Sequence, residues 1–140
     1  MTTANHDLYG PAHVERYVET DGEAGYRWRN DTTILLLTTL GRKSGEERTQ
    51  PLIFRPWGDD YLVVASKGGT DAPPAWFLNL EADPSVTVQI LDDRFAATAR
   101  TATAEEQPAM WEEMVAAWPD YENYQRRTER RIPVVVLSRV

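Results

Sequence analysis

TTILLLTTL-GRKSG-EERTQPLIFRP, residues 32–56, is the stretch that decides the fold. Its opening run is β-branched or aliphatic throughout and lacks the spacing of an amphipathic helix, so 32–40 reads as a buried strand. GRKSG, 41–45, has a glycine at each end and reads as a turn. Residues 48–56 form a second strand, and the two make a hairpin. C-terminal to this, Trp57-Gly58-Asp59-Asp60 is a turn signal and 61–66 a third strand. The loop 70–74 launches a helix over 75–82, with Pro74 in its first turn and Asp83-Pro84 as its stop. Val86, Val88 and Ile90 alternate along a half-buried strand, 85–91. Asp92-Asp93 turns the chain into a strand over 94–103. A helix follows over 105–118, with Met110, Trp111, Met114 and Trp118 on one stripe, broken by Pro119-Asp120. A polar segment runs to Arg131, and 132–137 is the closing strand. On the N-terminal side, 11–20 reads as a short helix with Val14, Tyr17 and Val18 on its apolar stripe, ended by Asp21-Gly22.

These elements predict an α+β fold, with about six mainly antiparallel strands in a sheet that closes on itself into a barrel and helices packed outside. The helical connections argue against an immunoglobulin-like sandwich. An N-terminal helical segment, 1–31, and a barrel, 32–140, together make a single domain. There is no internal repeat, linker or low-complexity stretch.

The chain has 140 residues and a net charge of −7. That charge argues against sequence-independent nucleic-acid binding, which depends on many cation–phosphate contacts. Cysteine is absent, which excludes disulfides, thiolate catalysis and Cys-ligated metals. His6 and His13 are the only histidines, and no metal-ligand spacing accompanies them. The N-terminus is polar, unlike a signal peptide, and the longest apolar runs, 34–37 and 134–137, are too short to span a bilayer. The expectation is a cytoplasmic protein, with peripheral association at the inner face of the membrane as the one membrane option.

Only two of the cations are lysines, and both sit beside glycines: Lys43 in GRKSG and Lys67 in SKGG, 66–69. An ammonium is a compact point charge, and glycine lets backbone come close to a ligand. Successive N–H groups in such turns can form an anion-binding nest. With Arg42 and Arg48 nearby, the pair points to a phosphate or carboxylate on a small molecule. Around them, Thr49 opens one strand, Ala65, Ser66 and Gly68 end another, and Trp76 and Asn79 share a helix face. A core tryptophan and an internally bonded asparagine are the plainer readings of those two. Tyr121 and Tyr124, also three apart, can donate a proton at neutral pH. Arg126, Arg127, Arg130 and Arg131 read as a solvated face.

Three blocks carry a resemblance: LLLTTLGRKSGEERTQPLIF (35–54), YLVVASKGGTDAPPAWFLNLEADPSVTVQI (61–90) and YENYQRRTERRIPVVVL (121–137). They resemble the deazaflavin (coenzyme F420)-dependent nitroreductase family of actinobacteria, through GRKSG followed by RTxPL and ASKGG followed by PAWxxNL. The resemblance implies a split β-barrel related to FMN-binding proteins. It also implies an 8-hydroxy-5-deazaflavin cofactor that carries a phosphate and an oligoglutamate tail. Cofactor contacts would come from Arg42, Lys43, Ser44, Gly45, Arg48, Thr49, Pro51, Ala65, Ser66, Lys67, Gly68, Trp76 and Asn79. The phosphate end is expected near 42–49 and the ring near 65–68. The implied reaction is hydride transfer to a small acceptor: a quinone, an activated alkene or a nitroaromatic. Tyr121, Tyr124 and Ser66 are the implied catalytic donors, with a separate F420-reducing dehydrogenase and a homodimer as partners. Ile53, where nitroreducing members carry an aromatic residue, and Arg127 depart from the pattern. Both bear on the acceptor pocket, so cofactor binding is implied more firmly than nitroimidazole reduction. The alternatives are a non-catalytic deazaflavin carrier, an FMN enzyme on the same fold, and a plain interaction module.

Overall fold

A computed structural model describes residues 7–140; His6 lies outside them. The elements, in chain order, are α1 (Gly10–Glu19), β1 (Ile34–Leu40), β2 (Glu47–Ile53), β3 (Arg55–Trp57), β4 (Asp60–Val64), α2 (Ala75–Ala82), β5 (Ser85–Ile90), β6 (Asp93–Thr101), α3 (Gln107–Ala117), α4 (Asp120–Arg126) and β7 (Val134–Arg139). The strands form one antiparallel sheet in the order β2-β1-β5-β6-β7-β4-β3.

Seven strands stand where about six were predicted, because the second predicted strand changes partner in its middle. As far as Ile53 it pairs with β1. Phe54 still donates its N–H to Thr33 O (3.1 Å), and from Arg55 the chain pairs with β4. One continuous stretch therefore supplies both outer strands of the sheet and curls it into a split barrel. Pro51 and Pro56 are tolerated because β2 and β3 each pair on one side only.

β1, β4 and β7 are unbroken apolar runs because both of their faces are covered. Leu35, Leu37, Val63, Val135 and Leu137 point into a barrel core shared with Phe95 and with Trp76, Phe77 and Leu80 of α2. Ile34, Leu36, Leu62, Val64, Val134 and Val136 point the other way, into a second core beneath α1, α3 and α4. β6 alternates instead: Phe95, Ala97 and Ala99 are buried, while Ala96, Thr98 and Arg100 are exposed. Gln107 of α3 docks on the closing strand as a substitute strand partner, donating to Ile132 O (2.9 Å) and accepting from Val134 N–H (3.1 Å).

Three local expectations are corrected. The β5–β6 turn falls at Leu91-Asp92, with Leu91 at φ +57°. Its N–H is held by the Tyr17 hydroxyl (2.8 Å), which itself donates to Ile34 O (2.9 Å). Burial pushes the pKa of this tyrosine up to about 12. α1 buries His13 and Tyr17, whereas Val18, expected on the apolar stripe, is exposed. The polar segment after Pro119 contains α4, a helix the sequence reading did not anticipate. Among the described residues, no helix is long and apolar enough to cross a membrane.

Candidate functional site

A cavity of about 680 Å³ opens between the β2 edge of the sheet and the helices. Its size is that of an ordinary small-molecule site, roughly 300–1,000 Å³. Gln50, Pro51, Leu52 and Ile53 form one wall, and Ser66, Lys67 and Gly68 another. Pro74, Ala75 and Trp76 close one end at the start of α2. Tyr9 to Pro11, His13, Trp28, Trp118, Tyr121 and Tyr124 line the remainder.

The Ser66–Gly69 loop is built for this position. Lys67, Gly68 and Gly69 all have positive φ (46°, 64° and 83°) after a right-handed Ser66, the alternation that gathers successive N–H groups into a nest. The N–H groups of Ser66, Lys67 and Gly68 meet no backbone acceptor among the described residues, whereas those of Gly69 and Thr70 turn back to Ser66 O (3.0 Å) and Lys67 O (3.3 Å). Lys67 is exposed and makes no ion pair among the described residues.

The Gly41–Gly45 turn lies beside α2 and does not line the cavity. Asn79, buried, accepts from Arg42 N (3.2 Å) and Arg42 Nη1 (3.0 Å) and donates to Thr39 Oγ1 (3.3 Å). It thereby anchors the turn to the helix that carries Trp76. Lys43 is exposed and unpaired among the described residues. Ser44 Oγ accepts from Glu46 N (3.1 Å), Arg48 pairs with Glu46 (3.3 Å), and Thr49 Oγ1 meets Thr38 Oγ1 across the hairpin (2.8 Å). Of the residues singled out from sequence, Pro51, Ser66, Lys67, Gly68, Trp76, Tyr121 and Tyr124 meet in the cavity. Arg42, Lys43, Ser44, Gly45, Arg48 and Thr49 stand outside it on the hairpin. Ala65 is wholly buried.

The two tyrosines are chemically unlike. Tyr121 is buried, which holds its phenol well above the usual range, with the neighbouring Tyr124 acting in the same direction. Among the described residues no buried side-chain polar atom lacks a partner, and Tyr121 lines the cavity. Tyr124 is half-buried, and its hydroxyl accepts the Trp118 indole N–H (3.2 Å). Indole is a donor only, so the Tyr124 hydrogen remains free to be given to a ligand.

Several cavity residues were missed in the sequence. Trp28 and Trp118 stack at 5.7 Å, and His13 lies 6.0 Å from Trp28. Aromatic residues spread over three separate elements carry no common spacing, so only the fold unites them. Ile53, flagged as a departure, does line the cavity; Arg127, the other, does not. Arg126, Arg127 and Arg131 are exposed, as a solvated face requires, but Arg127 and the half-buried Arg130 are also bonded to carbonyls of the 65–70 loop.

His13 Nε2 lies 2.9 Å from Gly25 O. Burial lowers its pKa below 6.5, and the Gly25 bond offsets part of that. The unfolded chain takes up this proton near pH ~6.5 and the folded chain only at lower pH. The stabilising effect is therefore complete above pH ~6.5 and is lost as pH falls toward the lowered native value. In denaturant titrations at pH 7.5 and 5.5, the wild type should lose more stability on acidification than His13→Gln. Equal losses would show that His13 is not the titrating group.

The family model described as "F420H(2)-dependent quinone reductase" matches residues 11–139. The F420H(2)-dependent quinone reductase Rv1261c of Mycobacterium tuberculosis is 39% identical over 130 residues, covering 91% of this chain and 87% of the relative. A solved F420-H2 dependent reductase, FDR-A, is 42% identical with a TM-score of 0.69, covering 75% of this chain and 93% of that one. A structure described as a domain-swapped dimer is 40% identical with a TM-score of 0.73, covering 89% and 93%.

Proposed function

We propose a specific use of the cavity, on the premise that this chain belongs to the F420H(2)-dependent quinone reductase family: it binds a quinone beside reduced coenzyme F420 and delivers the proton from Tyr124. The protein is an F420-dependent oxidoreductase. One observation carries the finer reading: a turn whose N–H groups are unbonded among the described residues, next to Lys67, shares a cavity with two tyrosines.

The residues present suit a polyanionic cofactor with a flat ring. Among the described residues Lys67 and Lys43 are exposed cations without carboxylate partners, and Arg42 is held by a neutral carboxamide rather than by an acid. Lys67 lines the cavity, and α2, whose first turn also lines it, holds Arg42 of the 41–45 turn through Asn79. Trp76 and Pro51 give flat apolar wall, and the 66–68 amides suit oxygen atoms on a ring edge. When bound, the reduced cofactor supplies the hydride. Quinone reduction adds one hydride and one proton, and Tyr124 is placed to give the proton to the oxygen that gains charge. Being half-buried, Tyr124 recovers a proton from solvent. Ser66 offers a second hydroxyl to the same space. Ile53 leaves this wall aliphatic, which favours an apolar quinone over a nitroaromatic.

Each turnover leaves the cofactor oxidised, so a separate F420-reducing dehydrogenase must recharge it. A homodimer is part of the same proposal, supported by the 40%-identical dimer; light scattering on the purified chain checks it.

The test is a fluorescence titration with oxidised F420, FMN run in parallel, followed by turnover of a naphthoquinone with reduced F420. F420 should bind and FMN should not compete. Lys43→Ala and Lys67→Ala should each weaken F420 binding about five- to tenfold at low salt, as expected of an exposed pair worth ~1 kcal/mol, and less at high salt. A preference for FMN would sink the reading.

A further inference from the structure

Arg130 does more than carry surface charge. Its Nε donates to Thr70 O (2.8 Å), its Nη2 to Ser66 O (2.9 Å), and both terminal nitrogens to Ala65 O (3.3 Å each). Three carbonyls of one loop thus fall on one planar fork. Arg127 Nη1 adds Gly68 O (3.1 Å). The backbone of Arg130 is itself tied down, its N–H to Thr128 Oγ1 (3.3 Å) and its carbonyl by Gln125 Nε2 (2.7 Å). Among the described residues, Arg130 makes no ion pair; Asp71, on the same surface hollow, is engaged by Thr128 (2.8 Å).

The two sides of the loop have different neighbours. Arg126 to Arg130 and Asp71 line a shallow surface hollow, whereas Ser66, Lys67 and Gly68 line the main cavity, and the two share no residue. Carbonyls drawn onto guanidinium groups on one side leave the N–H groups for the other. A loop with three consecutive positive-φ residues, one of them a lysine, needs such an external constraint to stay in one conformation. The same guanidinium joins the loop to the segment that follows α4, the helix that carries Tyr124.

We infer that Arg130 is a positioning residue for the reaction: its guanidinium holds the carbonyls of Ala65, Ser66 and Thr70, fixes the amide face of the 66–68 loop toward the cavity, and keeps that loop in register with Tyr124. The inference rests on the proposed function for its link to turnover, but not for its link to the loop. Lysine cannot reproduce it in full, because a point ammonium lacks the fork that spans three oxygens.

The test compares Arg130→Gln, Arg130→Lys and Arg127→Gln with the wild type, with Arg126→Gln as control, since among the described residues Arg126 reaches only Asn123 (2.7 Å). NMR hydrogen exchange on the cofactor-free protein reads the Gly69 and Thr70 amides. F420 affinity and quinone kinetics follow. Arg130→Gln should reduce protection of those two amides at least tenfold, weaken F420 about tenfold, and lower kcat while KM for the quinone stays within about twofold. Its melting temperature should fall by only a few degrees, because Arg130 belongs to neither apolar core and the loss is confined to its bonds to the loop carbonyls. Arg130→Lys should fall between, and Arg126→Gln should match the wild type. Unchanged protection and affinity in Arg130→Gln would overturn the inference. If that variant fails to fold, Arg130→Lys decides: wild-type Gly69 and Thr70 protection with wild-type F420 affinity overturns it. If the wild type itself does not bind F420, the proposed function fails, and the exchange arm still decides whether the clamp orders the loop.

Discussion

Gly69→Ala is expected to lower stability by about 2–5 kcal/mol and to reduce turnover at least 100-fold. A Cβ at this position would lie 2.8 Å from Tyr124 Cα and 2.9 Å from its carbonyl carbon, closer still to the carbonyl oxygen. These are backbone atoms of α4, which cannot rotate away as a side-chain tip could. Gly69 is also at φ +83°, where an L-residue costs ~1–2 kcal/mol before any contact is counted. Overpacking adds roughly 1–3 kcal/mol. Catalysis suffers as well because the displaced atoms carry the Tyr124 side chain, and small misplacements at a reacting centre cost about 100-fold. Gly68→Ala separates the two contributions. Gly68 is at φ +64°, with nothing within 4 Å of its added Cβ, so that variant should lose only the ~1–2 kcal/mol of backbone strain. Denaturant unfolding and kcat on both variants settle the matter. Equal behaviour of the two would mean that the α4 contact does not hold the site together.

That contact also shows where the sequence stops being readable. β1, β4 and β7 were legible because burial of both faces demands an unbroken apolar run, which local spacing reveals. The end of β2 was not: Ile53-Phe54-Arg55 is good strand sequence throughout, and only the global curl of the sheet dictates that pairing passes from β1 to β4 at Phe54. α4 was illegible for the opposite reason. DYENYQR has one buried side chain, Tyr121, and its hold on the fold comes from the Gly69 contact and from Arg127 and Arg130, residues distant in sequence from the loop they bind. Arg130 could not be told from its exposed neighbours in the arginine run because its acceptors are carbonyls, which leave no mark in a sequence. Among the candidate residues, those bordering glycines at 66–68 were the easiest to place, since positive φ and close approach leave a compositional trace. Asn79 could equally have served a ligand or the fold. Its buried amide is taken up by Arg42 and Thr39, so it acts on a ligand only by fixing the turn that carries Lys43.

The same reasoning separates the two tyrosines, and it predicts that Tyr124→Phe lowers kcat by about 10²-fold or more while Tyr121→Phe has a several-fold effect at most. Loss of a general acid costs about 10²–10⁴ in rate. Tyr124 meets the requirements for that role: its oxygen is engaged by the Trp118 N–H at 3.2 Å, its hydrogen is uncommitted, and it reaches both cavity and solvent. Tyr121 shares the cavity, but no donor among the described residues engages its oxygen. Its burial penalises the charged phenolate left after a proton is given, which is why its pKa is held high. It therefore serves better as a neutral hydrogen-bonding wall than as an acid. Neither variant should lose much stability. Tyr124→Phe leaves one half-buried indole N–H without its partner, a loss of about 1 kcal/mol, so a large fall in kcat cannot be charged to unfolding. Trp118→Phe tests the orienting bond on its own: it keeps the phenol but releases it, and should lower kcat by less than Tyr124→Phe does. If Tyr121→Phe proves the slower enzyme and Tyr124→Phe turns over normally, the roles are reversed, and the proton must come from the buried phenol despite the cost of its charge.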